Sequence, residues 1–71
     1  MSDLDARLLA AHAAGDRVAL VALYRQAADA ADGDARGFFL TQAYVFALET
    51  GHDDAAVLRA ALIDLGREPP D

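Results

Sequence analysis

Gly15-Asp16 and Gly51-His52-Asp53 are two turns of one kind, 51 − 15 = 36 residues apart, each set between alanine- and leucine-rich stretches with helical spacing. A unit of helix, glycine turn and helix that recurs at such a period is how helical repeat arrays are written, because each hairpin buries only part of its apolar surface and needs a neighbour. The fold expected from these turns is all-α: two antiparallel helical hairpins, four helices in all, in a single domain over residues 1–66. An architecture of this kind offers a surface for holding another protein.

Outward from the first turn, Leu4, Leu8 and Ala11 recur on one face of a helix expected from about Asp3 to Ala14, with Ser2 or Asp3 as its cap. Gly15 ends that helix in the left-handed conformation that costs other residues more. Asp16 caps a second helix with the apolar stripe Leu20, Leu23, Tyr24, Ala27 and Ala31; Arg25, Gln26 and Asp29 lie opposite and are expected in solvent. Asp32-Gly33-Asp34-Ala35-Arg36-Gly37, with two glycines and three charges, reads as the connector between hairpin one (3–31) and hairpin two (35–66). The third helix, from about Ala35 to Thr50, is the most apolar, and Phe39, Leu40, Ala43, Tyr44, Phe46, Ala47 and Leu48 cover most of its circumference. It is therefore expected at the centre, with Phe39, Phe46 and Leu48 in the core. A fourth helix follows an acidic cap at Asp53 or Asp54, runs through Leu58, Leu62 and Leu65, and stops at Gly66. Residues 67–71 form a short frayed tail, since Pro69 and Pro70 cannot continue a helix. No strand is expected, because the apolar spacing is three and four throughout.

Composition narrows the function classes. A chain of 71 residues has room for one domain with a marginal core, and without cysteine it has neither a disulfide nor a thiolate zinc site to reinforce it. Extra burial is expected from a partner chain or a second copy. Twelve acidic and six basic residues give a net charge of −6, a field that repels phosphate backbones and anionic membranes and so argues against nucleic acid or a membrane as partner. All six cations are arginine, lysine and asparagine are absent, and there are eighteen alanines, which favour helix but bury little area each. The opening Met1-Ser2-Asp3-Leu4-Asp5 carries no secretory pattern, and no apolar stretch approaches the ~20 residues of a membrane span, so a cytoplasmic location is expected.

Gly15-Asp16 followed by Leu20, Tyr24 and Ala27 resembles the second half of a tetratricopeptide repeat, and Gly51, Ala56 and Ala60 repeat the likeness in hairpin two. The two copies span nearly the whole chain. Leu8 and Tyr44 stand where that family places a small residue, Leu20 where alanine is usual, Asp32 where a proline ends the repeat, and the period exceeds the family's ~34 residues. A small four-helix bundle is the alternative arrangement. In the repeat family the first helix of each hairpin lines a concave groove for a partner's peptide or helix. The resemblance implies the same role here, with Asp5, Leu9 and His12 lining the groove on the first helix and Phe38, Thr41, Val45 and Glu49 on the third.

Spacing alone puts Phe38, Thr41, Gln42, Val45 and Glu49 together on the face of the third helix opposite its expected core residues. A phenylalanine and a valine are thereby left near solvent. Other candidate chemistry is weaker. Asp32 to Phe39 imitates the start of a calcium-binding loop, but Arg36 falls on a ligand position and Ala43 where a bidentate glutamate is needed, so the segment reads as a solvated connector. Glu49 and His52 have the spacing of a di-metal bundle motif, yet Gly51 interrupts the helix between them and His12 has no matching glutamate. Ser2 is the one serine, and there is no glycine-rich phosphate loop, so no catalytic constellation, cofactor site or metal site is expected. The sequence thus points to a small acidic interaction module, an adaptor or chaperone-like accessory protein, holding a partner segment in the groove. Leu9, Phe38 and Val45 would supply apolar contact there, with Asp5, Thr41, Gln42 and Glu49 orienting the segment and favouring a basic one. The alternative is a self-associating helical bundle, a structural subunit of a larger complex, that covers the same residues with a second copy.

Overall fold

A computed structural model describes residues 3–67, in which α1 (Asp3–Ala14), α2 (Arg17–Asp29), α3 (Gly33–Thr50) and α4 (Ala55–Asp64) follow one another as an all-α arrangement of four helices. The Ser2 alternative for the first cap and the tail residues 68–71 lie outside the described residues. Among the described residues, no helix is long and apolar enough to cross a membrane.

The two glycine turns share a backbone and differ in their polar chemistry. Gly15 and Gly51 sit at φ 67° and 63°, and in each turn an amide beyond the glycine reaches back to a carbonyl of the last helical turn, Asp16 N to Ala11 O at 3.0 Å and His52 N to Ala47 O at 2.8 Å. Such bonds satisfy carbonyls that a helix end otherwise leaves unpaired. At the first turn the Asp16 carboxylate accepts from Ala19 N at 3.1 Å and starts α2. At the second, neither acidic candidate caps α4 with its side chain; the His52 ring does part of that work, Nδ1 accepting from Asp54 N at 3.0 Å.

The connector is shorter than its composition suggests. The helix begins at Gly33, so five of the six residues read as connector belong to the first turns of α3. Gly37, a poor helix former, is buried inside that helix because the Arg67 guanidinium lies across it, 2.8 Å from where a Cβ would stand, while Arg67 Nη2 donates to Asp34 Oδ1 at 2.6 Å. Arg67, expected in a frayed tail, is instead docked on α3.

Backbone packing joins only helices adjacent in sequence: α1 with α2, α2 with α3, and α3 with α4. One core cluster of Val21, Ala28, Leu40, Ala43, Ala47, Leu58 and Leu62 binds α2, α3 and α4, and a smaller one of Ala11, Leu20 and Leu23 binds α1 to α2, backed by half-buried Leu4 and Leu8. The centre is accordingly shared. α2 buries two faces, its expected stripe and a second through Val21 and Ala28, whereas α3 buries mainly small residues, Gly37, Ala43 and Ala47, with Leu40. Of the three residues expected in the core, Phe39 and Phe46 are half-buried and pack against the main cluster, whereas Leu48 is 57% exposed; Leu65, at the end of α4, is 44% exposed. Alanine at positions 43 and 47 lets α2 and α4 approach α3 closely on that side, which leaves the larger side chains of α3 to its flanks. Arg25, expected in solvent, is half-buried, its Nη1 donating to Asp54 Oδ2 at 2.7 Å across to the start of α4.

Candidate partner-binding cleft

The Gly15 turn and the short connector after α2 bring α1 and α3 each against α2, on its two buried faces. No Cα of α1 comes within 8 Å of α3, and the His12 ring of α1 packs on Phe46 of α3. Separation of two helices that share a neighbour leaves a cleft whose floor is that neighbour.

Rings form the floor. Tyr24, projecting from α2, lies 6.0 Å from Phe46 with the two planes within 8° of parallel, and 6.2 Å from Phe39. His12 of α1 closes one end edge-on to both Tyr24 (5.8 Å) and Phe46 (6.0 Å), and its Nε2 pairs with the Tyr24 hydroxyl at 2.8 Å. At the other end Phe38 packs edge-on against Phe39 at 5.5 Å. Five rings therefore form one continuous chain from α1 to the start of α3. Tyr24, Phe39 and Phe46 are half-buried, while Phe38 is 55% exposed and His12 is exposed.

The residues singled out by spacing and by the repeat resemblance divide around this floor. On α1, Asp5, Leu9 and His12 fall within about 60° of one another, the flank turned toward α3, and Leu9 is 62% exposed there. On α3, Phe38, Gln42 and Glu49 lie on the cleft side, with Gln42 half-buried and Glu49 Oε2 held 3.2 Å from Arg17 Nε of α2. Counting about 100° per residue, Thr41 and Val45 fall on the side of Phe38 away from Phe39 and Phe46, Val45 only about 20° from Phe38; Thr41 Oγ1 donates to Gly37 O at 2.9 Å, and Val45 and Leu48 are both exposed.

Sequence reasoning missed the floor itself. Spacing places Phe39, Phe46 and Tyr24 on apolar faces, where they do pack against the core, but it gives the face of a residue and not the distance to the helix opposite. One signal was available: every phenylalanine and tyrosine lies in α2 or α3, none in the outer helices, and four of the five join the ring chain.

A concavity of about 530 Å3 opens on the other flank of α1 and α2, lined by Ala10, Ala11, Ala14, Ala19, Ala22 and Leu23 with Arg7, Asp16 and Gln26. It offers methyl groups and a carboxylate already engaged as a helix cap. No protein-family model, curated protein or solved structure matches the chain.

Proposed function

We propose that the chain is a small protein-interaction module, an adaptor or accessory protein acting in the cytoplasm, that holds a segment of a partner in the cleft between α1 and α3. The tetratricopeptide-like reading of the two hairpins belongs to this proposal, because it assigns the first helix of each hairpin to the binding face. The observation that supports it is the lining of the cleft: a chain of five rings, none fully buried, with Leu9 and Phe38 exposed at its rims. Aromatic side chains at a concave surface are the usual anchors of interfaces, combining large area with little conformational freedom to lose. No enzymatic role is assigned.

Paired truncations test the cleft against the outer ridge. Leu9→Ala with Phe38→Ala should leave helicity and melting nearly unchanged, since exposed truncations stay within about 0.5 kcal/mol, and should abolish recovery of co-purifying protein by the tagged chain. Val45→Ala with Leu48→Ala should leave recovery intact. Sedimentation at several concentrations covers the self-association alternative: a parent dimer that dissociates in either double variant would replace the adaptor reading with a homodimer.

A further inference from the structure

We propose that the concavity between α1 and α2 is a binding site for a medium-chain aliphatic carboxylate, with Arg7 taking the head group and the alanine methyls taking the chain. The site is separate from the partner cleft and goes beyond its function. Its lining repeats one spacing on both helices: Arg7, Ala10, Ala11 and Ala14 on α1, and Ala19, Ala22, Leu23 and Gln26 on α2, each at i, i+3, i+4 and i+7 and so on one face. Ala11 and Leu23 are buried and close the bottom of the trough, whereas Ala10, Ala14 and Ala22 are exposed. Methyl groups at those positions are too short to fill the space above this floor. About 530 Å3 stays open, within the ~300–1,000 Å3 of small-molecule sites.

The two ends of the trough differ in chemistry. Only Gly15 and Asp16 separate two helices that pack together, so α1 and α2 run in opposite directions, which puts Gln26 at the Arg7 end and Asp16 at the Ala14 end. Arg17, Arg25 and Arg67 are each held on a carboxylate, but the Arg7 guanidinium has no carboxylate partner among the described residues. A carboxylate laid there accepts a bidentate pair from the guanidinium fork, with the Gln26 amide beside it as a further donor. At the far end the Asp16 carboxylate, which accepts from Ala19 N at 3.1 Å, repels a second carboxylate and so sets the orientation of the ligand. Seven residues of helix from Arg7 to Ala14 give the apolar stretch a length of about 10 Å, which suits a medium chain. The net charge of −6 disfavours anions in general, so the site selects an acid that also brings an apolar body to bury.

The test titrates the intact chain with octanoate, octanol and acetate, below the concentrations at which the first two aggregate, and follows the methyl resonances of Ala10, Ala14, Ala19 and Ala22. Octanoate should bind about tenfold tighter than octanol, the scale of one charge-assisted hydrogen-bonded pair, and acetate should give no saturable shift. Arg7→Gln should bring octanoate down to the level of octanol and leave octanol unchanged, a split that damage to the fold would not produce. Ala22→Leu, at an exposed position, should fill the trough and abolish binding of both, with a melting temperature close to that of the parent. Equal binding of octanoate and octanol by the parent, or a preference for octanoate that survives Arg7→Gln, would overturn the head-group site. Shifts centred away from these alanines, or no saturable shift at millimolar octanoate, would overturn the trough as a ligand site altogether.

Discussion

The two outer helices are attached in different ways. α4 sends two leucines, Leu58 and Leu62, each 1% exposed, into the principal core, and its two ends are tied further by Arg25 to Asp54 and by Arg67 to Asp34. α1 contributes a single buried residue, Ala11, and lays half-buried Leu4 and Leu8 on α2 alone. α3, the helix opposite α1, is thus held by α2 and by the anchored α4, whereas α1 rests on α2 and reaches α3 through the His12 ring. That asymmetry suits a binding cleft, since the elements that move in recognition come from the less stable parts of a fold.

The largest effect should follow from cutting the α4 anchor. Leu62→Ala removes a fully buried side chain, a change that typically costs about 2–5 kcal/mol and approaches the whole stability of so small a domain. The variant should be largely unfolded at room temperature by far-UV circular dichroism. A cooperative melt within a few degrees of the parent would break the comparison, because α4 would then be no better held than α1.

Leu8→Ala removes a half-buried side chain from the α1 contact, and about 1 kcal/mol is expected, roughly half the transfer value of a fully buried leucine. By the usual scaling this lowers Tm by about 4–8 °C. Native-state hydrogen exchange sharpens the point without mutation: amides of α1 should exchange well before those of α2, α3 and α4, through local opening. Uniform protection across all four helices would show that α1 is part of one cooperative unit.

The smallest effect is expected at the α3–tail contact. In Gly37→Ala the new Cβ meets the far end of a flexible arginine, which can swing into solvent, while alanine improves the helix by about 1 kcal/mol over glycine. A slight rise in Tm is expected. A fall of several degrees would mean that Arg67 contributes more to holding α4 than its exposed pairing with Asp34 suggests.

The sequence made the elements legible and left their spacing hidden. Gly15, Asp16 and Gly51 announced their turns because a left-handed residue and a capping carboxylate are local requirements that few residue types meet. Leu58, Leu62, Leu40 and Ala43 announced the core through their period. Gly33 and Gly37 misled, since their composition says loop while a contact thirty residues away, Arg67 on Gly37, decides for helix. Leu48 misled for a related reason: α3 is apolar nearly all round, and only the positions of α2 and α4 determine which of its apolar residues remain outside. The candidate cleft residues were legible as exposed or rim positions, whereas its aromatic floor depends on how far α1 stands from α3, a distance that no local pattern encodes.

Because every backbone packing partner is the next or previous helix along the chain, assembly requires no long loop to be closed before contacts begin to stabilise it. Proteins organised this way fold on the order of microseconds to milliseconds. The α2–α3 pair can serve as the nucleus, with α4 condensing on it from one side and α1 joining last. During synthesis α1 would then emerge before the pair of helices on which it docks. The committed step would wait for the segment around Leu40 to Ala47, so a nascent chain halted before that point should remain unfolded.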